Sequence, residues 1–147
     1  MMPLICFGEL EEVPVEDAVS FYRTQVDAIL KETPVREVIL AYEPICAIGK
    51  EHPASAKHVV RVLEGVRELD CVKTRGELLR IVYGGSAGPG TFAEMARLVD
   101  GLFMARFGLD IEKLMGVVRE VSEARDTLDF VSMHATDHMC QTSSALF

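Results

Sequence analysis

The sequence predicts an α/β chain built on parallel strands. Three observations carry that expectation: four short apolar runs, stretches of helical period between them, and turns dense in Gly, Pro or a single acid where the runs end. Runs without clean polar alternation suit strands buried on both faces. The repeated strand-then-helix order wires parallel strands through right-handed crossovers.

The first run, Leu4–Phe7, is followed by Val19, Tyr22, Val26, Ile29 and Leu30, which share one helix face, with Glu16 and Asp17 opposing the dipole at the helix start. The second, Val38–Ala41, ends in Tyr42-Glu43-Pro44. Pro44 disfavours the α region at Glu43, so the carboxylate is held extended at the strand end, where α/β enzymes gather their chemistry. A solubilising charge is the alternative reading of Glu43. The connection from Glu43 to Ala54 is long, with Gly49 inside it and prolines near both ends, the build of a lid between stiffened hinges. Ser55 suits the N-cap of a helix striped by Val59, Val62, Leu63, Val66 and Leu69.

The third run, Leu79–Val82, opens into Tyr83-Gly84-Gly85-Ser86-Ala87-Gly88-Pro89-Gly90. A helix striped by Phe92, Met95, Ala96 and Val99 is expected next, started by a Thr91/Glu94 capping box. The Gly-rich turn is either an anion cradle of bared amides or a purely conformational device. The fourth run, Leu102–Met104, leads through Asp110 as N-cap to a helix striped by Ile111, Leu114, Met115, Val118 and Val121. Past Val121 the stripe fails, and residues 122–147 are expected to be a poorly ordered extension. His134 and His138 are spaced to share a helix face, but without a supported third ligand no metal site is expected there.

With 147 residues and 49% hydrophobic composition the chain can bury one core, and 26% charge argues against disorder. The net charge of −8, without a run of basic residues, argues against nucleic acid and anionic membrane as partners. No apolar stretch approaches the roughly 20 residues of a membrane span, and Met1–Leu10 lacks the pattern of a signal peptide, so a cytoplasmic protein is expected. Cys6, Cys46, Cys71 and Cys140 lack paired metal spacing and are expected to be thiols rather than disulfides.

Taken together, Leu4-Ile5-Cys6-Phe7-Gly8-Glu9, Ala41-Tyr42-Glu43-Pro44-Ile45-Cys46-Ala47-Ile48-Gly49, Tyr83-Gly84-Gly85-Ser86 and Val99-Asp100-Gly101-Leu102-Phe103 resemble the triosephosphate isomerase family. They look like its barrel strands five to eight, and the resemblance covers residues 4–121. A Glu-Pro followed by an Ala-Ile-Gly lid and, at the right distance, Tyr-Gly-Gly-Ser is a specific combination. The resemblance implies that residues 1–121 form a parallel (βα)4 half of a TIM (βα)8 barrel, whose whole takes about 250 residues. It implies an aldose–ketose sugar-phosphate isomerase interconverting glyceraldehyde 3-phosphate and dihydroxyacetone phosphate through an enediolate. In that scheme, for which the family is itself the reference case of acid–base tuning and lid closure, Glu43 is the general base. The backbone amides of Gly49, Gly85 and Ser86 match phosphate-binding positions, and Tyr83 matches a residue that steadies the closed lid. Neither a cofactor nor a metal is implied.

The departures shape the expectation further. The family's lysine, electrophilic histidine and first-strand asparagine have no match, while His52 and His58 fall in the lid and the following helix, where solvated roles are expected. Ala105-Arg106 stands where the family has paired glycines. These two residues are the candidates for the remaining phosphate contact, with Arg106 either pairing a phosphate through its planar fork or serving as a surface or interface arginine. Cys46 stands where tryptophan is usual, and Lys50-Glu51-His52-Pro53 replaces a Thr-Gly-Lys type run. With Ser86-Ala87-Gly88-Pro89-Gly90, these features look more like relatives that isomerise the four-carbon ketose erythrulose phosphate. A non-catalytic half-barrel that binds a phosphate ligand or a partner is the third reading. Two open sheet edges make a homodimer or a complementary half-barrel the expected partner, besides the small sugar phosphate. The chain is accordingly expected to be a fragment of a full isomerase.

Overall fold

Four parallel strands lie side by side in chain order: β1 (Leu4–Phe7), β2 (Val38–Tyr42), β3 (Leu79–Tyr83) and β4 (Gly101–Leu102). The computed structural model describes residues 2–33, 37–50 and 54–142, with side chains through Leu128. Between the strands run α1 (Val15–Glu32), α2 (Ala56–Arg67) and the short α3 (Asp70–Lys73), and α4 (Ile111–Thr142) follows β4. This is the expected parallel α/β layer, consistent with half of a TIM barrel.

The register puts Phe7, Tyr42, Tyr83 and Leu102 in one row across the sheet. That row ends all four strands together, so the residues that follow form a single rim. One face is covered by α1 and α2: Phe7, Leu40, Tyr42, Ile81 and Tyr83 pack with Tyr22, Val26, Val59, Val62, Leu63 and Val66, all buried. The ring of Phe7 meets that of Tyr22 edge-on, with centroids 5.1 Å apart, and Tyr42 lies between Phe7 and Tyr83 at 5.4 and 6.1 Å. Burial on both faces holds for most of β2 only. In β1 and β3 the alternate residues Leu4, Cys6 and Arg80 are exposed, because no described element covers the second face.

Three expectations about elements need correction. The fourth strand is Gly101–Leu102 rather than Leu102–Met104: after the Phe103 amide bonds to the Tyr83 carbonyl at 2.8 Å, the chain turns into a 3-10 segment, Arg106–Leu109. The stripe Phe92, Met95, Val99 is buried as expected, but Phe92 and Met95 sit on successive turns over residues 89–98 and Val99 just past them, not on a regular helix. Its capping box does not form. The Thr91 hydroxyl instead accepts from the Gly88 amide at 3.1 Å, and the Glu120 carboxylate of α4 takes the amides of Gly90 at 2.6 Å and Ala93 at 2.8 Å. A distant carboxylate thus satisfies donors that a helix start would have left free. Finally, α4 does not stop at Val121 but continues to Thr142. Its start is as expected, with Asp110 Oδ1 accepting from the amides of Glu112 and Lys113 at 3.1 and 3.2 Å. Ser55 occupies the N-cap of α2 without a side-chain hydrogen bond.

Candidate active site

Glu43 is the first residue past β2, so its backbone is clamped between the two neighbouring strands. Its amide donates to the Phe7 carbonyl at 2.8 Å, and the Gly84 amide donates to the Tyr42 carbonyl at 2.8 Å. Gly8, Glu43 and Gly84 therefore stand in the rim row directly above Phe7, Tyr42 and Tyr83. The Gly8 position needs glycine, and at Gly84 a side chain would crowd the carboxylate. A Cβ on Gly8 would lie 2.0 Å from the Glu43 carbonyl oxygen, and one on Gly84 would lie 3.2 Å from Glu43 Oε1 and 3.3 Å from Cδ. The carboxylate rests against the bare Cα of Gly84, half-buried, and among the described residues no protein donor is bonded to it. The Cys6 thiol is held above its ordinary pKa by partial desolvation and then by the negative charge of Glu43.

The segment after Glu43 folds over the Gly-rich turn. Ile45–Ala47 makes one 3-10 turn, with the Ala47 amide on the Pro44 carbonyl at 2.9 Å. A Cβ on Gly85 (φ +89°) would touch Ala47 Cβ at 3.3 Å and Pro44 Cδ at 3.6 Å, so turn and lid are in contact. Ser86 has φ +57°, a left-handed conformation rarely held by a non-glycine residue. Its hydroxyl lies 3.0 Å from the Ala47 carbonyl and 2.9 Å from the Lys50 carbonyl, tying the strained residue to the lid. Arg106 Nη2 donates to the same Lys50 carbonyl at 3.1 Å. Gly49 (φ +73°) is exposed beside Lys50. At the far end of the lid, the Tyr83 hydroxyl accepts from the Ala54 amide at 3.3 Å and lies 3.4 Å from the Gly85 carbonyl. Burial pushes the Tyr83 phenol up to about 12.

Of the residues singled out in the sequence, Glu43, Tyr83, Gly85, Ser86 and Arg106 are thus gathered around Pro44–Lys50. Gly49 rides on that segment, and Ala105 is exposed one residue before Arg106. His52 lies outside the described residues. The expected Gly-rich turn opening onto a helix start is not found, since the amides after Pro89 are engaged by Glu120.

Sequence reasoning missed a second polar cluster beneath the rim. Glu9 is 6% exposed, and its carboxylate accepts from the Tyr22 hydroxyl, from the Tyr42 hydroxyl at 2.9 Å and from His58 Nε2 at 3.2 Å. His58 is therefore not a solvated helix-face residue: its side chain is 10% exposed and turned inward to a buried acid. Burial and the Glu9 carboxylate push both Tyr22 and Tyr42 well above the usual tyrosine range. The Glu9 carbonyl also accepts from the Ile45 amide at 2.8 Å, so the cluster fixes the start of the lid. The signal was the presence of Tyr42 inside an otherwise apolar strand, since a buried hydroxyl demands a partner. Among the described residues no group of three His, Cys, Asp or Glu side chains is placed to hold a metal, and no described helix is long and apolar enough to cross a membrane.

Comparison with known proteins gives this rim a family context. The family model of triosephosphate isomerase matches residues 1–121. Among curated proteins, an L-erythrulose-1-phosphate isomerase of Pectobacterium atrosepticum is 33% identical over 114 residues, 75% of this chain and 44% of the relative. A probable triosephosphate isomerase 2 of Listeria monocytogenes is 32% identical over 132 residues, 84% of this chain and 51% of the relative. An L-erythrulose-1-phosphate isomerase of Rhizobium etli is 34% identical over 134 residues, 86% and 50% respectively. The chain spans about half the length of the curated relatives it matches.

Proposed function

Because the chain belongs to the triosephosphate isomerase family over residues 1–121, we propose that it carries the base, lid and phosphate-binding half of an aldose–ketose sugar-phosphate isomerase. The observation that carries the reading is the rim row: a carboxylate at a parallel strand's end, beside a Gly-rich turn that is itself bonded to the segment covering it. Glu43 removes a proton from the carbon next to the substrate carbonyl and returns it to the adjacent carbon, and the enediolate lies between the two transfers. A half-buried base bonded to no donor among the described residues suits a carbon acid. The amides of Gly49, Gly85, Ser86 and Ala105, with the Arg106 guanidinium, receive the phosphate, and Tyr83 steadies the cover. The donors for the developing oxyanion lie outside the matched segment, in a complementary half-barrel or a second copy that also pairs the open edges of β1 and β4.

Interconversion of glyceraldehyde 3-phosphate and dihydroxyacetone phosphate is the first substrate reading. Cys46, Arg106 and the Ser86-Ala87-Gly88-Pro89-Gly90 turn favour erythrulose phosphate as the alternative, because an arginine in place of paired glycines reshapes the phosphate end of the site. The absent match for the family's lysine and histidine favours a non-catalytic, phosphate- or partner-binding role for the isolated chain. Turnover of both substrates by the purified chain and by Glu43→Gln separates these readings. Isomerisation lost by a factor of about 10² or more in Glu43→Gln supports the base. Equal rates remove Glu43 from the mechanism, and sugar-phosphate binding without turnover selects the binding reading.

A further inference from the structure

The exposed carbonyl of Lys50 is a shared acceptor, and its two donors come from different strand-end loops. Ser86 follows β3 and Arg106 follows β4. Those two loops are themselves pressed together: a Cβ on Gly88 would lie 2.9 Å from Phe107 Cδ2, so Phe107 packs directly on the backbone of the Gly-rich turn. Arg106 leans on the same ring, with Cζ 5.6 Å from its centroid, and Lys113 Nζ lies 4.9 Å from it. The aromatic platform thus fixes where the guanidinium can reach, and it reaches the lid.

We propose that Arg106 is a positioning residue that latches the Pro44–Lys50 segment closed through the Lys50 carbonyl. The assignment rests on the sugar-phosphate reading above for its purpose, not for its geometry. A guanidinium has five N–H groups in a rigid fork, so one can hold Lys50 while others remain directed to an anion. Lys50 directly follows Gly49, so the bond fixes the turn that presents the Gly49 amide. Ser86 alone is a weaker anchor. Its single O–H is divided between the Ala47 and Lys50 carbonyls, and the residue is held at a strained φ.

The test is residue-resolved hydrogen exchange of the ligand-free chain at the Ala47, Ile48 and Lys50 amides, which close the turns of the lid. It is run on the natural sequence, Arg106→Gln and Arg106→Lys. Arg106 is exposed, so neither variant disturbs the core. The expected result is exchange about three- to tenfold faster at the three lid amides in Arg106→Gln, the effect of one charge-assisted bond at a solvated carbonyl. The Val26 and Val62 amides of α1 and α2 should not change. Arg106→Lys, which keeps the charge on a single nitrogen, should fall between the other two. Equal lid exchange in all three proteins, or an acceleration spread evenly into α1 and α2, overturns the latch. Because no ligand is present, failure of sugar-phosphate turnover leaves this readout intact. Turnover with unchanged lid exchange would sink the latch alone.

Discussion

Gly8→Ala is the most severe single-methyl change the rim geometry allows, and its magnitude can be worked from the contacts. The added Cβ would sit 2.0 Å from the Glu43 carbonyl oxygen, 2.5 Å from its carbon and 3.0 Å from Pro44 N. All three are backbone atoms, so no side-chain rotation relieves the clash. Reaching ordinary contact near 3.4 Å requires β1 and β2 to separate by more than 1 Å at this row. Two hydrogen bonds flank the point of contact, Glu43 N–H to Phe7 O and Ile45 N–H to Glu9 O, both at 2.8 Å, and neither survives that separation. Two lost bonds at about 1 kcal/mol each, with overpacking of about 1–3 kcal/mol, give roughly 3–5 kcal/mol. For a urea dependence of about 2 kcal/mol per molar, the unfolding midpoint should fall by roughly 2 M. Gly101→Ala is the control, since its Cβ meets only Val82 Cγ1 at 3.8 Å. A Gly8→Ala midpoint indistinguishable from that of Gly101→Ala would refute the register and the clamp on Glu43.

Glu9→Ala leaves the buried hydroxyls of Tyr22 and Tyr42 and the His58 ring without their shared acceptor. It should cost about 3–5 kcal/mol in urea unfolding, and a loss below about 1 kcal/mol would show that the cluster is not closed as described. All three tyrosines, Tyr22, Tyr42 and Tyr83, are buried with raised pKa values, Tyr83 to about 12. A folded-state pKa above the unfolded value near 10 contributes stability that is present below about pH 10 and lost as pH rises toward 12. Phenolate absorbance should therefore stay silent in the folded chain at pH 10, where the urea-unfolded chain is about half ionised. One tyrosine titrating near 10 in the folded chain would contradict the burial.

The strand order, the parallel pairing and the convergence of Glu43 with the Gly-rich turn were legible because each depends on local chemistry: an apolar run, a proline after an acid, glycines at a strand end. What escaped prediction was set by distant partners. Glu9 lies 13, 33 and 49 residues from the Tyr22, Tyr42 and His58 side chains it binds, spacings that no periodicity records. The helix expected at Phe92–Val99 had the right stripe and buried it. Its regular geometry gave way because Thr91 bonds back to Gly88 and Glu120, from α4, takes the amides at its start. Likewise β4 shortened because the chain after Phe103 turns away into the Arg106–Leu109 segment.

The two halves of the site are built to different stiffness. Below the rim, Phe7, Tyr22, Tyr42 and Tyr83 form a continuous aromatic layer whose hydroxyls at Tyr22 and Tyr42 converge on one buried carboxylate, so the strand end that Glu43 follows is anchored in a fully bonded core. Above it, Ile45 and Ile48 are exposed and the cover is held chiefly by hydrogen bonds to the Ala47 and Lys50 carbonyls. Bonds to solvated carbonyls are worth about 1 kcal/mol each, so such a cover opens locally far more often than the sheet beneath it. On the proposed reading this is the division a proton-transfer site would need: the strand end that carries the base holds its geometry, while the weakly tethered segment opens to release the product.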